Sequence, residues 1–427
     1  MSPIALPNQT AAVLHGPKDL RIEQRPLWPP QQDQCQVDIV STGLCGSDLH
    51  YYMLGRNGDF AIQAPLVLGH EAAGVITAVG SNVLQKYPHL VPGTRVAVEC
   101  GVMCRDCKYC HSGRYNLCKS LRFCSSAKTF PHLDGTLQEK MNHPAHVLHP
   151  LPENLSYDLA ALAEPLSVLL HAARRAGIAP PSSTPSLGNP NAASSSHSSS
   201  ESISYAQGKT VLVLGVGAIG LLACALAKAF GATRVCAIDI NQDRLDFARR
   251  EGFAESVYCL PLPPKAANGA KSSQSKDDAL KRAKDNAATA LDTFAEPDGF
   301  DVVFECTGAE GCILMSVFTA LTGGKVTLVG MGTSTVSNFP LAAAALREVD
   351  LIGSFRYADT YPEALRLLAT PPSSSSSPSF GEKVAKLVTH KYDLKDAQKA
   401  FELVAKGRDE KGSMVLKVVV GTGESDS

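Results

Sequence analysis

Across residues 36–40, 73–79 and 94–98 the chain sets short runs of β-branched and other apolar residues between Gly and Pro turns. Such runs predict strands, so residues 10–149 read as a mostly β module. Leu159, Leu162, Leu166, Leu169 and Leu170 then recur on one face, which predicts a helix over 157–176. From 209 to 353 the pattern alternates. Residues 210–214, 234–238, 302–305 and 325–329 have the length and composition of buried strands, with helices expected at 219–230 and 242–251. Strand, helix, strand in this order predicts a doubly wound parallel sheet. Beyond it, helices are expected at 361–368 and 394–406, a closing strand at 414–420 and a disordered tail at 421–427.

Residues 180–204 are crowded with Ser, Pro and Asn and hold almost no apolar side chains. They cannot bury enough surface to offset their ordering entropy, so a flexible surface insertion is expected, with smaller ones at 261–276 and 371–379. No fixed-period repeat is visible. The longest apolar stretch, 211–227, is interrupted by Gly215, Gly217 and Gly220, and a buried strand-turn-helix explains it better than a membrane span.

Composition narrows the function. A chain of 427 residues with 44% hydrophobic content can form two ordinary cores. Forty Lys and Arg balance 41 Asp and Glu, a net charge of -1, so neither nucleic acid nor an anionic membrane is the expected partner. Residues 1–20 lack a basic start and an apolar run, so no export signal is expected. Thirteen cysteines in such a chain argue for reduced thiols, some holding metal, and for a cytoplasmic home.

Gly215-Val216-Gly217-Ala218-Ile219-Gly220 follows an apolar strand and opens a helix, and Asp239 ends the next strand. Bare glycine spacing is weak evidence; this context makes it a dinucleotide turn. The glycines let the backbone approach a pyrophosphate, and the helix N-terminus offers it free N–H groups. Asp239 suits ribose hydroxyls and disfavours a 2′-phosphate, so NAD is expected over NADP; Arg244 tempers this by its place near the adenine side. The bland alternative, a glycine turn that binds nothing, does not explain strand, turn, helix and acid together.

Cys104, Cys107, Cys110 and Cys118 form a C-x2-C-x2-C-x7-C cluster. Four thiolates so close together match a closed structural zinc site, with an iron–sulfur centre as the serious rival and ordinary buried thiols as the bland one. Cys45, His70, Glu71 and Glu164 are dispersed. Singly they read as a buried thiol, a turn histidine and capping acids, and spacing alone does not link them.

Cys45-Gly46-Ser47-Asp48, Gly69-His70-Glu71, the cysteine lobe, Glu164-Pro165-Leu166-Ser167 and Phe355-Arg356-Tyr357 together resemble the zinc-containing medium-chain dehydrogenase/reductase superfamily. Within it they look most like the polyol dehydrogenases acting on sorbitol (L-iditol), xylitol and L-arabinitol. The resemblance runs from about residue 11 to 420. It implies a GroES-like catalytic domain, 1–165 with 356–427, and a Rossmann NAD-binding domain, 166–355. It also implies a catalytic zinc on Cys45, His70 and Glu71, with Glu164 as a further ligand or a neighbour acting through water, and Asp48 orienting His70. Tyr51, Glu164, Arg356 and Tyr357 would meet the substrate. The cofactor would meet Gly215, Gly217, Ile219, Gly220, Asp239, Arg244, Val329, Gly330, Met331, Ser354, Phe355 and Arg356.

The resemblance thus implies hydride transfer from a polyol, sorbitol first, to NAD, giving a ketose, with two zinc ions per subunit. Ser47 and then His50 or bound water are the candidate proton relay, against bland readings as a turn-capping hydroxyl and a solvated histidine. Retention of the cysteine lobe, which some animal sorbitol dehydrogenases lack, points to fungal and bacterial-type members. A homotetramer or homodimer is implied. The rivals are xylitol or L-arabinitol dehydrogenase, a zinc dehydrogenase for non-polyol alcohols, a zinc-stabilised interaction module, and a catalytically silent NAD- and zinc-binding protein.

Overall fold

The computed structural model describes residues 6–180, 205–261, 276–371 and 378–422. Most of the 180–204 stretch, residues 262–275 and 372–377, and the tail beyond 422 lie outside the described residues. Of the described residues, those up to Ser167 and from Ala358 onward form one unit, and Val168 to Tyr357 form the other.

The first unit is built on a seven-stranded sheet. Its order is Leu148–Pro150, Arg95–Val98, Glu71–Val79, Gln34–Gly43, Lys417–Gly421 and Val388–Asp393, with Lys140–Pro144 also paired to Gln34–Gly43. Strands expected at 36–40 and 73–79 fall within these, and the one expected at 94–98 runs from Arg95 to Val98. Gly43 stands opposite both Glu71 and Val419, so three distant segments meet at one end of the sheet. A three-stranded sheet of Asp19–Leu27, Leu6–Gly16 and Leu66–Val67 lies in the same unit. Its core gathers Ala12, Leu14, Leu66, Leu68, Val418 and Val420 with helices Gly46–Leu54 and Ala397–Lys406, where Tyr52 stacks on Phe401 at 5.0 Å.

The single helix expected over 157–176 is two. Tyr157–Ala161 is capped by Ser156, whose hydroxyl accepts the Leu159 N–H, and Ala163–Ala176 starts after Leu162. Pro165 lies in the first turn of the second helix, where its missing N–H costs nothing.

The second unit carries six parallel strands in the order Ser256–Cys259, Arg234–Asp239, Thr210–Leu214, Phe300–Glu305, Ala320–Leu328 and Asp350–Gly353. Successive strands step outward in one direction from Thr210–Leu214 and then in the other from Phe300–Glu305. The carboxyl ends of these two strands form the reversal point at which such sheets bind ligands. Helix Lys276–Phe294 is not among the elements expected from the sequence, and it begins where the Ser- and Lys-rich stretch ends. Ala283, Ala287, Ala290 and Phe294 bury one face of it, at helical spacing. No helix among the described residues is long and apolar enough to cross a membrane.

Candidate active site

Strand pairing assembles the first site. Gln34–Gly43 delivers its chain to Cys45, which caps helix Gly46–Leu54, while its antiparallel neighbour begins at Glu71. Ligand atoms of Cys45, His70 and Glu71 consequently lie within 4.8 Å of one another. Gly69 makes the approach to His70 with φ 94°, and a Cβ there would meet Thr136 Oγ1 at 2.8 Å and Thr42 Cγ2 at 2.9 Å. Only glycine fits that turn.

Asp48 is fully buried beneath this trio. Its Oδ1 faces His70 Nδ1 at 3.2 Å and accepts from Ser125 Oγ at 2.6 Å and Gly69 N–H at 3.3 Å; its Oδ2 accepts the Cys45 N–H at 3.3 Å. Burial alone would raise the Asp48 pKa, but His70 and these donors outweigh it and the net shift is downward. For His70 burial acts to lower the pKa, while Asp48 and Cys45 carry it well above the ordinary value. An imidazole held at Nδ1 by a carboxylate presents Nε2 outward, the usual arrangement of a metal-binding histidine. Ser47 Oγ donates to Cys45 Sγ at 3.3 Å and lies 3.4 Å from His70 Nε2. The exposed His50 has its Nδ1 3.3 Å from Asn57 Oδ1.

Glu164, buried in the first turn of Ala163–Ala176, is not among the three groups with mutually close ligand atoms. Tyr51 sits in the core at 2% exposure, and its hydroxyl accepts the Ala127 N–H at 3.0 Å. A residue the sequence reading missed is Lys417. Its buried Nζ donates to Glu71 Oε1 at 2.8 Å, Glu71 Oε2 at 2.7 Å and Leu44 O at 3.0 Å. One signal for it existed: a lone Lys inside the apolar run 414–420 requires a buried acid.

In the cysteine lobe Cys107 caps the turn Lys108–His111. Sulfur separations are 3.9 Å for Cys104–Cys110, 3.6 Å for Cys107–Cys110 and 3.5 Å for Cys118–Cys104. Tetrahedral zinc with bonds of about 2.3 Å places sulfurs roughly 3.8 Å apart, so the spacing suits one central ion and leaves no room for a multi-iron cluster. The Cys110 N–H lowers the Cys107 pKa to about 6, whereas burial pushes Cys110 up to about 12. Lobe and sheet are joined by Tyr115, which donates to the buried Glu99 carboxylate at 2.7 Å and accepts the Asp359 N–H at 2.8 Å.

In the second unit the turn 215–217 opens helix Ala218–Ala229, with Gly215 at φ 90°. Asp239 ends its strand largely buried; Oδ2 accepts the Val216 N–H at 2.7 Å and Oδ1 the Asn241 N–H at 2.9 Å. Val329 and Gly330 donate to Glu305 O at 2.9 and 2.8 Å, and Met331 is exposed. Arg356 adopts φ 51°, its guanidinium 5.4 Å from the Phe355 ring, and Tyr357 is buried.

Residues 31–153 match the family model of the alcohol dehydrogenase GroES-like domain, and residues 218–370 match that of the zinc-binding dehydrogenases. Human sorbitol dehydrogenase is 35% identical over 100% of this chain and 99% of its own length, and the Bos taurus enzyme is 36% identical over 99% and 98%. This chain belongs to the zinc-binding medium-chain dehydrogenase family, in its polyol dehydrogenase group. Among solved structures, Escherichia coli L-idonate 5-dehydrogenase superposes with a TM-score of 0.74 at 26% identity, over 99% of this chain and 100% of that one. Bacillus subtilis 2R,3R-butanediol dehydrogenase gives 0.69 at 25%, over 97% and 100%. The dehydrogenase is therefore an oxidoreductase acting on CH–OH groups, with the GroES-like and Rossmann folds expected from its sequence.

Proposed function

We propose that this dehydrogenase oxidises a secondary alcohol of a sugar polyol, sorbitol first, to the corresponding ketose, with NAD as hydride acceptor. The observation that carries the reading is the trio Cys45, His70 and Glu71, three unlike donors drawn together in a family of zinc-binding dehydrogenases. Cys45, His70 and Glu71 would hold a catalytic zinc, with Glu164 a neighbour acting through water, and Cys104, Cys107, Cys110 and Cys118 a structural one. Zinc supplies a Lewis acid that makes an alcohol proton acidic near neutral pH.

The chain's own groups do the rest. Asp48 fixes the tautomer and orientation of His70. Lys417 occupies one lone-pair position on each Glu71 oxygen and leaves the others for a ligand. Ser47 Oγ receives the substrate proton and passes it by His50 or water to solvent. Gly215, Gly217, Ile219 and Gly220 receive the pyrophosphate, and Asp239 takes the adenosine ribose hydroxyls with lone pairs not used by Val216 and Asn241. Arg244, Val329, Gly330, Met331, Ser354 and Phe355 complete the cofactor contacts, and Tyr51, Arg356 and Tyr357 meet the remaining polyol hydroxyls. A cytoplasmic location follows from the reduced-thiol reading. A homodimer or homotetramer is supported by the edge strand Asp350–Gly353 with exposed Leu341, Leu346 and Leu351.

The test follows nicotinamide absorbance with zinc-loaded protein, NAD or NADP, and sorbitol, xylitol, L-arabinitol, ribitol and simple alcohols. NAD reduction fastest with sorbitol, abolished by a chelator, is expected. A faster pentitol moves the substrate and keeps the mechanism; turnover of simple alcohols alone removes the polyol roles of Arg356 and Tyr357. Silence everywhere, with zinc and NAD bound, leaves a binding protein.

A further inference from the structure

We propose that Glu305 is a positioning residue for the dinucleotide, holding the turn that walls the glycine-rich loop; this rests on reading residues 215–220 as the NAD site. Glu305 ends the Phe300–Glu305 strand, in register with Leu214 on one side and Leu328 on the other, at the point where the strand order reverses. Its side chain is fully buried. The carboxylate accepts the Thr307 N–H at 2.8 Å, the Thr307 hydroxyl, and the Gly308 N–H at 3.1 Å on Oε1 and 3.0 Å on Oε2.

The turn so held touches both neighbours of the cradle. A Cβ on Gly215 would meet the Thr307 methyl at 2.5 Å, and one on Gly308 would meet Gly332 N at 2.5 Å. One on Gly330 would collide with Gly308 N. Glu305 O meanwhile binds the Val329 and Gly330 N–H groups. Turns 215–217, 307–308 and 330–332 therefore interlock, the first two through the Thr307 methyl and the last two backbone to backbone, and Glu305 grips two of the three. A buried carboxylate is costly to keep, and the same space filled by an apolar side chain would leave the Thr307 and Gly308 donors unpaired. What the acid provides is a fixed turn whose outer face sets how closely a pyrophosphate can approach Gly215.

The test is a fluorescence titration with NADH of full-length, zinc-loaded wild type, Glu305→Gln, Glu305→Ala and Thr307→Val, with melting temperature and zinc content measured on each. In Glu305→Gln an amide N–H pair faces the Gly308 N–H, and NADH binding weakens about tenfold, and further in Glu305→Ala. Thr307→Val keeps a methyl at Gly215 and loses the hydroxyl, for a loss of roughly threefold. KM for NAD rises in step while kcat at saturating NAD stays within about twofold. Variants that melt lower but bind NADH as wild type does overturn the proposal, because the acid then only supports the fold. If Glu305→Ala does not fold, Thr307→Val and Glu305→Gln decide alone. Wild type that binds no NADH overturns the reading of the glycine turn and the proposal with it.

Discussion

Lys417 Nζ donates to both oxygens of the Glu71 carboxylate, across 346 residues of sequence, and both side chains are almost wholly buried. Burial acts to lower the Lys417 pKa, but the Glu71 charge outweighs it and the net shift is upward, so the ammonium stays charged inside the protein. The Glu71 carboxylate thus carries its own countercharge whether or not a metal is bound.

Replacing Lys417 by Met strips that buried carboxylate of its ammonium partner. Unfolding by urea, with zinc removed, should show a loss of about 3–5 kcal/mol. The double variant Lys417→Met with Glu71→Gln should recover more than half of it, because the stranded charge is gone. An unchanged midpoint in the single variant would mean that water reaches Glu71.

The two donor sets are independent. His70→Ala should lower zinc content from two ions to one per chain by elemental analysis and abolish turnover. Cys107→Ser should also remove one zinc, but chiefly lower the melting temperature, since Tyr115 ties that lobe to Glu99 and Asp359. Full activity in His70→Ala would sink the catalytic assignment.

Asp239 tests cofactor choice. Asp239→Ser removes the charge that disfavours a 2′-phosphate but keeps a small acceptor near the Val216 N–H. The ratio of kcat/KM for NAD over NADP should fall about tenfold or more. A constant ratio would place the discrimination elsewhere, with Arg244 the next candidate.

His146 supplies a pH signature. Burial, aided by Arg105, lowers its pKa to about 4, and its Nε2 has no hydrogen-bond partner among the described residues. The folded value lies below the unfolded one of about 6.5, so the unfolded state binds more protons between them. The contribution is full above about pH 6.5 and is lost as pH falls toward 4. His146→Gln should flatten the fall in stability between pH 6.5 and 4.5 by on the order of 1 kcal/mol, a value reduced from the full shift because the ring is partly solvated. Parallel acid slopes in denaturant titrations of the two proteins would contradict this.

Much of this was legible locally. The strand Thr210–Leu214, its glycine turn and Asp239 fall within thirty residues, and one βαβ unit expresses them without help from the rest of the chain. The cysteine lobe is likewise a local loop whose spacing already matches a tetrahedron. Helix Lys276–Phe294 was readable from Ala283, Ala287, Ala290 and Phe294, but its polar face beside a Ser- and Lys-rich stretch masked the period.

Cys45, His70 and Glu71 belong to a different class. Alone they had bland readings, and only resemblance linked them before the pairing of Gly43 with Glu71 put them at one end of a sheet. The same holds for Lys417, which reaches Glu71 only because Val419 also stands opposite Gly43, and for Glu305, whose partners lie on a turn that the neighbouring strands close.

By itself the sequence determined most of the elements, the four-cysteine pattern and the glycine-rich turn, because these depend on periodicities and contacts within a few tens of residues. Tertiary structure alone decided which acid faces which base and which backbone donor a hydroxyl takes up, as Tyr51 with the Ala127 N–H shows. Those outcomes follow from strand register and burial. A one-residue slip in pairing would send every such side chain to the opposite face.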